Sequence, residues 1–116
     1  MENEKISFDE YQKEAFDLIS EDGRKDMVLN GVLGLAGESG ECCDIVKKVR
    51  FQGHEMDRDH IIGELGDGLW YIAETASGLN VSLEEVARRN LDKLHKRYHG
   101  NHFNKEDSLH REKGDQ

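Results

Sequence analysis

At 116 residues the chain has the length of one domain, and with 35% apolar against 35% charged residues its core must be lean. A formal net charge of −9 argues against non-specific binding to nucleic acid or to an anionic membrane. Met1–Asp9 is polar and acidic with no apolar stretch of a secretory signal, and no run reaches membrane-spanning length, so a cytoplasmic location is expected.

Proline is absent, and no stretch alternates apolar and polar residues as a strand does, which predicts an all-α chain. Ser7-Phe8-Asp9-Glu10 reads as a capping box that starts a helix running to about Ser20, stopped by Asp22-Gly23. A longer helix follows from about Lys25 to Arg50 or Phe51, with a stripe of Val28, Val32, Leu35, Cys42, Val46 and Val49. Gln52-Gly53-His54 breaks it. The adjacent Cys42 and Cys43 offer no disulfide framework and read as two small core residues in a reducing cytosol.

The third helix opens near Asp57 and ends at Gly78, a natural residue just past a helix end. Its apolar stripe is Ile61, Leu65, Leu69, Ile72 and Ala76. A second capping box, Ser82-Leu83-Glu84-Glu85, starts the fourth helix, which continues to about Tyr98 and stops at Gly100. Residues 1–100 are thus the expected domain. Residues 101–116, with only Phe103 and Leu109 apolar, are expected to form a mobile polar tail. A four-helix chain so short of apolar mass is expected to complete its core by oligomerising.

Glycines crowd the two central helices: Gly31, Gly34, Gly37 and Gly40 in one, Gly63, Gly66 and Gly68 in the other. Each costs roughly 0.5–1 kcal/mol relative to alanine inside a helix. Close approach of the helices, or room for a ligand, would offset that loss.

The same two helices carry acidic couplets, Glu38-x-x-Glu41 and Glu64-x-x-Asp67. Residues three apart on a helix point the same way. Most such couplets are simply solvated, and on the helical wheel Glu64 and Asp67 fall nearly opposite the apolar stripe, beside Tyr71 and Glu74. Large aromatics, Trp70 and Tyr71, on a purely solvated face are nevertheless unusual. If the couplets converge, four carboxylates repel one another until they take up protons or cations. An oxygen-only set selects a hard cation, Mg²⁺ with Mn²⁺ as a substitute, and makes phosphate chemistry the first hypothesis. On the fourth helix Asn90, Lys93 and Arg97 share one polar face, where Arg97 can act as a fork and Lys93 as a point charge for phosphate. Lys48, near the arc of Glu38 and Glu41, is a further phosphate candidate.

The segments LGLAGESGE (33–41), ELGDGLWY (64–71) and RNLDKLHKRY (89–98), with 22 residues between the two couplets, resemble the MazG-like nucleotide pyrophosphohydrolases. The resemblance runs from about Tyr11 to Tyr98. It implies an all-α fold with a four-helix-bundle core, assembled as a homodimer or homotetramer. It also implies Mg²⁺-dependent hydrolysis of a nucleoside triphosphate between the α and β phosphates. By position, Glu38, Glu41, Glu64 and Asp67 would be the metal ligands and catalytic acids. Asn90, Lys93 and Arg97 would contact phosphate or sugar, Tyr71 would lie against the nucleotide, and Asn30, Tyr11 and Gln12 would be candidates for the base pocket. Some relatives carry an additional acid, proposed as the water-activating base, where this chain has Gly37.

A non-enzymatic helical scaffold would share the capping boxes and acidic surface, but it gives no reason for glycines beside the acids. A di-iron bundle would need Glu-x-x-His, and no histidine here has Glu three residues before it. Phosphoribosyl-ATP pyrophosphohydrolase shares the two-couplet logic and is the alternative within the enzyme class.

Overall fold

A computed structural model describes residues 4–111 and 115. The extreme start of the chain and part of the segment expected as a tail (112–114 and 116) lie outside the described residues. Six helices follow in order, α1 (Phe8–Asp17), α2 (Glu21–Arg24), α3 (Met27–Phe51), α4 (Arg58–Gly78), α5 (Leu83–Arg97) and α6 (Lys105–Leu109), and the described residues contain no strand. The chain divides into two compact units, one ending at Leu83 and one beginning at Glu84.

Side-chain caps set the helix starts. The Ser7 hydroxyl accepts from the Glu10 amide at 3.1 Å and donates to the Glu10 carboxylate at 3.2 Å, closing the expected box through the hydroxyl. The expected first helix stops earlier, at Asp17, and Asp22-Gly23, expected to stop it, lies inside a separate short helix, α2. Leu18 caps α1, and Ser20 opens α2 by accepting from the Gly23 amide at 3.0 Å. Arg24 fastens this corner, donating to the carbonyls of Phe16 and Ile19 with its guanidinium over the Phe16 ring. The long α3 starts two residues later than its periodicity predicts because Asp26 accepts from the Leu29 amide and so becomes the N-cap. Asp57 does the same for α4 through the His60 amide at 3.1 Å.

In the first unit α4 packs along α3 and also against α1. Partners along the α3–α4 seam fall in reverse order, Gly78 by Val28, Glu74 by Asn30, Tyr71 by Gly34 and Gly68 by Leu35, so the two helices run antiparallel. Three glycines are close-approach positions. A β-carbon on Gly31 or Gly34 would overlap Thr75 or the Tyr71 ring, and one on Gly78 would meet Val28 Cγ2 at 2.9 Å. Gly78 is thus a helical contact residue, not the left-handed end of α4. That conformation belongs to Asn80, with φ of 60°. Around Gly37, Gly40, Gly63 and Gly66 there is open space, so close packing accounts for only part of the glycine crowd.

The buried apolar side chains are Ala15, Ile19, Ala73, Ala76 and Leu83, with Tyr11, Leu69, Trp70 and Ile72 packed against this small core. Gln12 ties α1 to the α4–α5 turn. Its amide donates to Ser77 Oγ and the Val81 carbonyl, and its oxygen accepts from the Leu83 amide at 2.7 Å. Of the expected apolar stripe of α4, Leu69, Ile72 and Ala76 do face the core, but part of the face expected to be polar is buried as well. Glu74 is the one fully buried large side chain among the described residues, at 1% exposure, while Leu65 from the expected apolar stripe is 62% exposed. Val32 and Val46 of the α3 stripe are also exposed, as is Cys43. The α3–α4 hairpin therefore buries its glycine and carboxylate seam and leaves much of its aliphatic surface uncovered.

In the second unit, α5 carries Arg88–Glu84 and Arg89–Glu85 ion pairs at one-turn spacing. The segment expected to be a mobile tail contains α6, capped by Asn104 accepting from Glu106 and Asp107. Tyr98 and Phe103 stack at 5.3 Å, and the His99 amide donates to Asp107.

Candidate functional site

The antiparallel seam brings the two acidic couplets toward each other. One carboxylate oxygen each from Glu38, Glu64 and Asp67 lies within 4.8 Å of the others. Glu38 and Glu64 are half-buried and Asp67 is exposed. Spacing explains the convergence. Glu64 and Asp67 occupy one face of α4 a turn apart, and that face continues through Tyr71 and Glu74 into the α3 seam.

Such crowding raises the affinity for protons. The Glu38 carboxyl is pushed up to about 7, first by a shared hydrogen bond with Glu64, then by burial and by the charges of Glu64, Asp67 and Glu41. Tyr11, from α1, is pushed above the usual phenol range by burial and by the charge of Asp67, so α1 reaches the same acids.

The converged donors are all carboxylate oxygens, the chemistry of a hard divalent cation, and the repulsion that raises the Glu38 carboxyl is what a positive charge there would relieve. These residues fit such an ion. The surroundings are not free of softer donors, as the couplets alone suggest. His60 Nε2 lies 3.4 Å from Glu64 one turn away, and Cys42 lines the adjoining cavity. That cavity, about 370 Å³, is walled by Leu35, Leu65, Leu69 and Ile72 beside Glu38 and Glu64.

Glu41 stands one turn on from Glu38, close enough for its charge to act there, but outside the three-oxygen cluster. It lines a second cavity of about 370 Å³ with Asp44, Lys48, His54 and His60. Lys48 is engaged by Asp44 at 2.8 Å, which holds the aspartate below the usual carboxylate range.

The nucleotide candidates are distributed as follows. The Tyr71 ring lies over Gly34 and meets Trp70 edge-on at 5.1 Å. The Asn30 amide nitrogen donates to both oxygens of the buried Glu74, at 2.9 and 2.8 Å, within the seam. Gln12 spends its amide on Ser77, Val81 and Leu83. In the second unit Asn90 and Lys93 are exposed on α5, and Arg97 grips Asp115. Sequence reasoning passed over His60, although its i, i+4 spacing to Glu64 was legible. It also passed over Asp115, for which no local signal exists.

No solved structure matches the chain. A curated relative, the "Gene 37 protein" of Mycobacterium phage L5, is 42% identical over 69 residues. The match covers 56% of this chain and 60% of the relative, so the chain spans about three fifths of that protein's length. The model of the MazG nucleotide pyrophosphohydrolase domain matches residues 29–103, which include both acidic couplets and all of α5. With that match over more than half its length, the chain belongs to the MazG nucleotide pyrophosphohydrolase domain family.

Proposed function

We propose that the chain hydrolyses nucleoside triphosphates, (d)NTP, between the α and β phosphates to the monophosphate and pyrophosphate. The observation that carries this reading is the meeting of Glu38, Glu64 and Asp67 oxygens from two helices within 4.8 Å. In a family of nucleotide pyrophosphohydrolases, that cluster is suited to a cation that accompanies phosphate.

Glu38, Glu64 and Asp67 would hold the ion, and Glu41 would join them from the next turn. Mg²⁺ there, or Mn²⁺ in its place, would supply positive charge to the phosphate oxygens and acidify a water. Gly37 provides no acid, so the proton of the attacking water passes to a Glu38 oxygen. Crowding by Glu64, which pushes the metal-free Glu38 carboxyl up to about 7, supports that role. Arg97 and Lys93 hold the leaving pyrophosphate, with Asn90 toward phosphate or sugar and Lys48 as a further cation. Tyr71 lies along the nucleotide, and Tyr11, Asn30 and Gln12 contribute to the base side.

The uncovered aliphatic residues Leu29, Val32, Leu33, Ile62 and Leu65 of the hairpin, 47–64% exposed, support assembly as a homodimer or homotetramer. The reading places the enzyme in the cytoplasm, on the nucleotide pool, with no nucleic-acid or membrane partner. No helix among the described residues is long and apolar enough to cross a membrane. A panel of canonical and modified (d)NTPs with Mg²⁺, scored for pyrophosphate against orthophosphate, tests the reading. Pyrophosphate with monophosphate in equal amounts supports it, and orthophosphate would place the cut elsewhere.

A further inference from the structure

Arg97 does not point an empty fork at solvent. Its Nε donates to one oxygen of Asp115 at 2.9 Å and its Nη2 to the other at 2.8 Å. Both side chains are only 10% exposed. The grip is built into the end of α5. The Arg97 guanidinium lies 5.9 Å from the Tyr98 ring centroid, Tyr98 stacks on Phe103, and α6 is anchored to His99 through Asp107. Lys93, one turn before Arg97, and Arg111 both add attraction at Asp115, whose carboxyl sits below the usual range chiefly because of Arg97.

Ordinary exposed ion pairs contribute little, because water competes and two flexible side chains must be fixed. This pair is two-pronged and largely covered, the arrangement in which a guanidinium discriminates most strongly among anions. The two donors that Asp115 occupies are those a phosphoryl group would need, and two bidentate acceptors cannot share one edge of a guanidinium. A carboxylate on the same chain also competes at an effective concentration on the order of millimolar.

We propose that Arg97 and Lys93 form an oxyanion site that Asp115 fills as a built-in competitor, and that a phosphate or pyrophosphate group binds there by displacing it. The proposal depends on the function proposed above only in taking the incoming anion to come from the nucleotide or its product. The site then gains affinity when the Asp115 carboxylate is released, and Asp115 returns to Arg97 as the anion leaves.

The test is the affinity of the full-length chain for inorganic pyrophosphate, measured by calorimetry in metal-free buffer. The acid cluster then contributes no metal-bridged binding, and NTP hydrolysis remains a separate readout. Asp115→Asn should tighten pyrophosphate severalfold, Asp115→Glu should stay near the parent, and Arg97→Gln added to Asp115→Asn should abolish the gain. Unchanged or weaker binding by Asp115→Asn, or a gain that survives Arg97→Gln, would overturn the proposal and leave Asp115 a structural strut. The unaltered protein gives an independent readout. The Asp115 carboxyl carbon resonance should move toward that of a free aspartate as pyrophosphate is added, and a resonance that stays fixed at saturation would contradict displacement. Displacement in a chain that hydrolyses no triphosphate would uphold the oxyanion site while refuting the function. Hydrolysis without displacement would do the reverse.

Discussion

The ring of Tyr71 on α4 lies against the bare backbone of Gly34 on α3, in the space a β-carbon would occupy. This contact lets the two helices approach closely enough to bring Glu38 toward Glu64 and Asp67 further along the same seam. Gly34→Ala should therefore destabilise the chain by about 1–3 kcal/mol through overpacking, despite alanine's better helix propensity. Gly40→Ala and Gly63→Ala, which face open space, should stabilise it by roughly 0.5–1 kcal/mol. Urea unfolding of the three variants checks both signs, and a neutral Gly34→Ala would show that the close approach is not needed.

The buried partner of that seam gives a second expectation. Both oxygens of the buried Glu74 accept from the Asn30 amide. Asn30→Ala should cost about 2–3 kcal/mol, because it strands a buried polar group rather than merely losing one bond. Replacing both members, Asn30→Leu with Glu74→Leu, should recover part of that loss. Chemical denaturation of the single and double variants measures the coupling.

Proton uptake by the acid cluster sets a pH dependence. With the Glu38 carboxyl pushed up to about 7, the metal-free folded chain keeps a proton that the unfolded chain has already released. The resulting stabilisation is fully present below the ordinary carboxylate range and is lost as pH rises through about 7. Thermal unfolding in EDTA should thus show a declining Tm over that window, absent in Glu38→Gln. Mg²⁺ should raise Tm more at pH 8 than at pH 5.5, where protons compete for the carboxylates. A stabilisation by Mg²⁺ that is equal at both pH values would place the ion elsewhere.

Much of this molecule is legible in its sequence, and what is not has identifiable physical causes. Ser7 and Glu10 announce the first cap by local spacing, and the order of Glu38, Glu64 and Asp67 on two helices announces a shared acidic face. The wheel places Leu69, Ile72 and Ala76 inward correctly but misses the second buried face of α4, because it ranks only apolar residues inward while the α3 seam is sealed by glycine, Tyr71 and an amide–carboxylate pair. Gly78 looks like a helix terminator, yet it serves as a packing surface for Met27 and Val28. The partner of Arg97 could not be foreseen, since Asp115 lies 18 residues away with no local spacing that points to it. Glu41 is spaced for the cluster, but its side chain opens toward the neighbouring cavity with Lys48 and His60.

Pyrophosphate release from a preferred (d)NTP by Glu38→Gln, Glu64→Gln and Asp67→Asn, with Mg²⁺ in excess and helicity checked by circular dichroism, tests the central claim most directly. Each variant should stay folded and lose activity by more than about 100-fold, beyond the usual cost of removing a group that only supports a metal ligand. Glu41→Gln should follow them if its carboxylate joins the ion. Full turnover by Glu38→Gln, Glu64→Gln or Asp67→Asn would contradict the three-carboxylate site.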